Sequence, residues 1–262
     1  MTPRQMPARL FIGAVYVFLL LPIAIVVVMS LNAGEYLAFP PRGVSLRWYG
    51  TFLRSEPFTT AFLRSVMVAL AAAALASVIA TPAALFYVRH LRRGREKYRL
   101  TMLAPLLLPE VLTAIALLFF FNQYFLGTRT VIPLVIGHVV ITMPFVFLTV
   151  TSALYNLPPG VEEAARTLGA GGWTAFRRVT FPLIKSGIVT GAMLAFIMSF
   201  DNVNISLLLK PLGTSTLPIQ LFDYLRYDFD PTAAAVSTIS VTLTLLVVFG
   251  IDRIYGLRAV RF

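Results

Sequence analysis

Six runs of about twenty apolar residues restrict this chain more than any other feature of its sequence. They cover 10–31, 65–88, 101–121, 130–155, 186–206 and 232–251. Three of them hold no acidic, basic or histidine side chain, and the others hold one each: Glu110, His138 and Asp201. A helix needs roughly 20 apolar residues to cross about 30 Å of hydrocarbon, so each run has the length of a membrane span. Backbone amides in lipid must be satisfied within the segment, which leaves helices or a closed barrel. The runs are continuous and lack period-two alternation, so a barrel is excluded. Prolines at 22, 82, 105, 109, 133 and 144 are expected to kink or end turns, which helix bundles tolerate in membranes.

Composition supports the same reading. Charged residues make up 13% of the 262, hydrophobic residues 58%, and mean hydropathy is +0.82. Soluble domains carry roughly twice that charge, and a compact domain of this size has too little polar surface to cover so much apolar mass. A soluble enzyme is therefore excluded. With no cysteine, disulfides, thiolate zinc sites and thiol nucleophiles are excluded too. The first run has a basic start but is too long for a signal-peptide core and lacks a small-residue cleavage site, so it reads as a retained span.

Basic residues orient the spans. One side holds Arg4, Arg9, Arg89, Arg92, Arg93, Arg95, Lys97, Arg99, Arg166, Arg177, Arg178, Lys185, Arg253, Arg258 and Arg261, fifteen in all. The other holds Arg42, Arg47, Arg54, Arg64, Arg129, Lys210 and Arg226, which is seven. The positive-inside rule places both termini in the cytoplasm. Subtracting Glu96, Glu162, Glu163 and Asp252 from the fifteen leaves +11 on that side. Subtracting Glu35, Glu56, Asp223, Asp228 and Asp230 from the seven leaves +2, and Glu110 and Asp201 contribute −2 within the runs. The formal net charge of +11 thus belongs to one membrane face, where topology and anionic lipid account for it without nucleic acid.

Most connections between runs are simple, but 157–182 is not. It reads LPPGVEEAARTLGAGGWTAFRRVTFP. Pro158 and Pro159 suit a helix start, Glu162 and Glu163 its first turn, and Gly169 its stop. A second short helix is expected over 173–178, ending before Pro182. By itself this is an amphipathic hairpin on the cytoplasmic face. Its spacing adds more: Glu163-Ala164-Ala165, three residues, Gly169, nine residues, then Val179-x-Phe181-Pro182 resembles the EAA motif of importer-type ABC permeases. The stretches PLLLPEVLTAIALLFFF, SFDNVNISLLL, TSTLPIQLFDYLRYDFDPTAAAVSTI and WYGTFL resemble the spermidine/putrescine permease subfamily. That subfamily often has a second acidic residue after the Asp of its SFD stretch, where this chain has Asn202, which leaves another amine, an aminophosphonate, an opine-like compound or ferric iron as alternatives to a polyamine.

The resemblance implies an all-α integral membrane protein of the bacterial inner membrane. It implies six transmembrane helices, both termini cytoplasmic, and the type I importer membrane domain at 61–255. An N-terminal segment with the first span and outer loop would occupy 1–60, and a tail 256–262. It implies that Glu163, Ala164, Ala165, Arg166 and Gly169 form a coupling helix on a cytoplasmic ATPase. Small alanines permit close approach, Glu163 offers a partner for arginine, and Gly169 permits the turn. Partners would be a second permease, a dimeric ATPase, a periplasmic substrate-binding protein and membrane lipid. The chain has no Gly-x4-Gly-Lys-Ser/Thr loop, so ATP and Mg belong to the partner and no cofactor is expected here.

Two acidic residues within the runs are the candidates for contact with a solute. Along a straight helix Glu110 lies about 14 Å and Asp201 about 23 Å from the cytoplasmic start of their runs. Ionisable groups at such depth cost roughly 2.5–3.5 kcal/mol, which implies a partner or a water-filled path. Glu110 has an alternative role, satisfying backbone groups freed by Pro109. Asn202, Asn204 and Phe200 extend the candidate path, with Phe222, Tyr224 and Tyr227 as further aromatic surfaces. His138 reads as a packing or hydrogen-bonding residue, since no carboxylate adjoins it and metal ligation is not expected. Gly187 and Gly191 form a close-packing GxxxG face. A self-sufficient channel or proton-coupled transporter would leave the 157–182 loop without a role. An intramembrane enzyme would need a clustered nucleophile and base, and none is evident.

Overall fold

The structure is a computed structural model that describes residues 6–125 and 130–255. Arg4, Arg129, Arg258, Arg261 and the 256–262 tail lie outside the described residues. Helices α1 (Met6–Ser30), α2 (Arg47–Arg54), α3 (Glu56–Arg89), α4 (Arg95–Leu107), α5 (Glu110–Tyr124) and α6 (Ile132–Tyr155) follow one another. Then come α7 (Val161–Thr167), α8 (Gly172–Ala175), a π-helical turn (Phe176–Thr180), α9 (Phe181–Phe200), α10 (Asn204–Leu209), α11 (Leu217–Tyr224) and α12 (Thr232–Tyr255). Among the described residues the extended pairing is confined to one bridge, Asn32 with Val44.

Five helices among the described residues are long and apolar enough to cross a membrane. They are Arg9–Ser30, Glu56–Arg89, Ile132–Tyr155, Gly172–Phe200 and Thr232–Ile254. The third apolar run breaks at Pro109, one of the prolines expected to kink or end turns. It divides into α4 and α5, which meet at 97° and reach spanning length only together. Proline lacks the amide a continuing helix needs and pushes its predecessor out of the helical region. Leu108 accordingly sits at φ −86°, ψ 146°, and Pro109 at φ −55°, ψ 125°. Pro22, Pro82, Pro105 and Pro144 lie inside continuous helices. The fifth run also ends early: α9 stops at Phe200, and Asn204 starts α10.

Contacts divide the chain into Ala61–Ile219 with Leu246–Phe262, and Met1–Thr60 with Gln220–Leu245. In the larger unit α6 is the central helix, burying Leu134, His138, Ile141, Val146, Phe147, Val150 and Leu154. Its main neighbour is α9. A Cβ on Gly187 would lie 2.6 Å from Ala153 Cβ and 2.9 Å from Thr149 O, and one on Gly191 2.7 Å from Val146 Cα. The GxxxG face is thus used within the bundle, where glycine lets two backbones nearly touch. Ala69, Ala72, Ala73, Ala76, Ala80 and Ala84 form a buried stripe along α3 at the three-to-four-residue helical spacing. Leu134, Ile141, Ala114, Phe121, Ile205 and Leu209 join α5, α6 and α10 in one apolar cluster.

In the smaller unit Asn32 organises the loop after α1. Its Oδ1 accepts from Gly34 N at 2.9 Å and Arg42 N at 3.0 Å, and its backbone oxygen accepts from Trp48 Nε1 at 2.7 Å. Helix α1 is apolar around its circumference, and its large side chains from Leu10 to Ile25 are exposed. Such a helix needs hydrocarbon around it.

Candidate functional site

The 157–182 loop folds around α7, which begins at Val161, after Gly160 at φ +79° and not directly at the prolines. Glu162 and Glu163 occupy its first turn, where the exposed amides favour negative charge. Gly169 stops it at φ +88°. Gly169 N donates to Arg166 O at 3.0 Å and Ala170 N to Ala165 O at 3.1 Å. These two bonds make a Schellman end, which requires the left-handed conformation that glycine adopts without strain.

The second helix of this loop differs from expectation. Instead of ending before Pro182, α8 passes through the π turn into α9, so 172–200 is one continuous rod. Pro182 lies within this rod, directly after the π turn, where the altered hydrogen-bond register accommodates a residue without an amide. Glu163, Ala164, Arg166 and Gly169 are exposed and Ala165 is half-buried. Leu168 and Trp173 are 89% and 72% exposed, adding apolar surface at the tip.

Glu162 turns inward, and the sequence reading did not single it out. Its Oε2 meets Arg89 Nη2 at 2.5 Å and its Oε1 meets Arg166 Nη2 at 3.1 Å. Thr180 Oγ1 accepts from Arg89 at 2.9 Å and donates to Glu162 at 3.3 Å. The Glu162–Arg166 part follows helical i, i+4 spacing and was legible. The Arg89 and Thr180 parts join residues 73 and 18 positions away from Glu162 in the chain and carry no local signal. These groups border a cavity of about 490 Å³ beneath α7, also lined by His90, Leu154, Pro158 and Leu183.

The second set of candidate residues meets at the two helix breaks. Glu110 is the first residue of α5, so it sits at a corner rather than at a depth along a straight rod. Asn202 Nδ2 donates to Glu110 Oε1, and Asn204 Nδ2 donates to Glu110 Oε2 at 2.8 Å. Asn202 Oδ1 also accepts from Ile205 N at 2.9 Å, capping α10. At the start of α5 the Pro109 carbonyl accepts from Leu112 N at 2.9 Å and Thr113 N at 3.2 Å. Asp201 occupies the C-cap of α9 and is exposed. Phe200 is buried, edge-on to Phe62 at 6.0 Å and stacked with Phe196 at 5.9 Å. The structure thus joins Glu110, Asn202 and Asn204 in one cluster.

His138 behaves as the hydrogen-bonding residue expected. It is fully buried, with Nδ1 2.7 Å from Ser199 Oγ and Nε2 3.0 Å from Ser206 Oγ. In the smaller unit Tyr224 donates to Asp230 Oδ2 at 2.8 Å and lies edge-on to Phe58 at 5.1 Å. Asp230 Oδ1 accepts from Thr232 N at 2.8 Å. Burial, more than the Asp230 hydrogen bond, pushes the Tyr224 phenol up to about 12. Tyr227 is exposed, and Arg226 lies over the Phe222 ring at 4.5 Å.

Residues 75–261 match the family described as "Binding-protein-dependent transport system inner membrane component". The chain belongs to this family. It is 32% identical to the putrescine transport system permease protein PotI of Escherichia coli (strain K12), over 86% of this chain and 82% of the relative. It is 29% identical to the spermidine/putrescine permease PotC of Haemophilus influenzae, over 91% and 92%. A molybdenum transport system permease, ModB of Mycobacterium bovis, is 30% identical over 82% and 88%. The fold matches a bacterial ABC transporter that imports alginate, with TM-score 0.68 and 17% identity over 97% of this chain and 99% of that one. It matches the MetNI methionine transporter with TM-score 0.61 and 22% identity over 77% and 97%. The protein is an ABC importer permease, a transporter subunit, and hydrolysis of ATP belongs to a separate ATPase.

Proposed function

We propose that this permease forms half of the path by which a small cationic solute, of the polyamine class, enters the bacterial cell. A second permease supplies the other half, a periplasmic binding protein delivers the solute, and a cytoplasmic ATPase dimer drives the cycle. In this reading the domain at 61–255 spans the inner membrane, α4 and α5 together make the third of six spans, and both termini are cytoplasmic. The exposed face of α7, with Glu163, Ala164, Ala165 and Arg166, sits on the ATPase, and Gly169 sets the turn. Closure of the ATPases moves this face and shifts the bundles between outward-open and inward-open states.

The observation that carries the substrate class is the sign of charge in the apolar runs. They hold Glu110 and Asp201 and no lysine or arginine. Carboxylates suit ammonium groups, whereas an anionic solute calls for basic or amide donors. The relatives named for putrescine and spermidine support the same class. In this reading Asp201 meets the solute directly, which its exposure at the end of α9 supports. Glu110, Asn202, Asn204 and Phe200 shape the wall beside it. Titration of the cognate binding protein with spermidine and putrescine tests the class. Saturable binding of either is expected, and binding of molybdate or another anion instead would overturn it.

A further inference from the structure

The most interconnected polar cluster on the cytoplasmic side lies behind α7, not on its exposed face. Three elements meet there: Arg89 ends α3, Glu162 is in the first turn of α7, and Thr180 ends the π turn that leads into α9. Each charge suits its own helix end, a cation at the C-terminus of α3 and an anion at the N-terminus of α7. Local preference therefore explains why the residues occur, and the tertiary fold brings them within 2.5–3.3 Å of one another. The Arg89 and Glu162 side chains are only 25% and 23% exposed, and Thr180 is fully buried.

Helix α7 needs such a fastening. It has seven residues, none of them buried. A helix this short is unstable alone, and with no buried residue its orientation rests on polar ties and on the turns at Gly160 and Gly169. Arg166 joins Glu162 from within α7, so it stiffens the helix without connecting it to anything else. Arg89 and Thr180 are the groups that connect it to two long helices. The π turn widens the helix at the junction, a feature common where a helix has a mechanical or functional task.

We propose that Arg89, Glu162 and Thr180 are positioning residues that clamp α7 to α3 and α9, so that displacement of α7 is passed to both helices. The clamp stays closed through the transport cycle. This inference rests on the coupling role proposed for α7 and concerns its inner face, which does not meet the ATPase.

The test uses the full transporter in proteoliposomes, with both permeases, ATPase and binding protein, and reads solute taken up per ATP hydrolysed. Glu162→Gln, or Thr180→Val, which removes only the hydroxyl, should lower this ratio at least threefold while ATPase still co-purifies. Arg89→Lys, which keeps the charge at the end of α3, should retain most of it. An unchanged ratio in Glu162→Gln or Thr180→Val would overturn the clamp. If Glu162→Gln fails to assemble, Thr180→Val decides by the same ratio. The chain has no cysteine of its own, so Arg89→Cys with Glu162→Cys can be joined by a short bis-thiol reagent. Retained coupling after joining is expected, and its loss would mean that the contact must open. Glu163→Lys separates this inference from the reading beneath it. Normal uptake in Glu163→Lys would refute the coupling role of α7, whatever the clamp variants do.

Discussion

Three buried or half-buried polar groups hold strategic points in this protein. Glu110 receives two amides, one each from Asn202 and Asn204. Glu110→Leu leaves both amides without an acceptor and should lower stability by about 1–3 kcal/mol. Glu110→Gln, which keeps one acceptor, should cost less. The thermal midpoint in detergent measures both, and an unchanged midpoint in Glu110→Leu would mean the cluster bears no load. His138→Leu should cost a similar amount, because Ser199 and Ser206 lose their shared partner. Tyr224 offers a pH test outside the spans. Its pKa is raised from 10.0 to about 12, so its contribution is complete below 10 and is lost as pH rises toward 12. Stability of wild type and Tyr224→Phe should therefore differ by a constant amount from pH 6 to 9. A difference that shrinks within that window would contradict the buried, protonated phenol.

At the level of elements, small residues determine how closely helices approach. Gly191→Leu would place side-chain atoms inside Val146, so α9 must move away from α6. Overpacking of this kind costs about 1–3 kcal/mol or more. Gly172→Ala meets nothing within 4 Å and should be neutral in the same melting assay. Gly169 has open space around it but a φ of +88°, so its restriction is conformational. Gly169→Val should disturb the end of α7 by about 1–2 kcal/mol and abolish uptake while the protein stays in the membrane. Uptake at the wild-type rate would show that the turn is not needed. The start of α7 near its acidic pair and its stop at glycine were legible in sequence, because both depend on adjacent residues. The continuation of α8 through the π turn into α9 was not, because Pro182 looks like a stop until the π turn before it is seen.

For the whole molecule, two measurements examine orientation and drive. Reporter fusions at either terminus should be active only as cytoplasmic reporters, and a periplasmic signal from either would reverse the positive-inside assignment. Glu163→Lys should reduce ATP-driven uptake to background without loss from the membrane, as measured by transport in vesicles with immunodetection. The sequence by itself determined the solvent of this protein, its helical class and its family. Those properties follow from summed hydropathy, backbone hydrogen bonding and a motif of fixed spacing, all local along the chain. It also marked Glu110, Asp201, Asn202 and the 157–182 loop as unusual for apolar surroundings. The tertiary structure alone decided what those groups touch. Glu110 faces asparagines 92 and 94 residues away, and Arg89 faces Glu162 from another helix. It also turned one apolar run into two helices at 97°. Long-range pairings of this kind arise when packed helices bring distant polar groups into a medium without water, where each must find a partner.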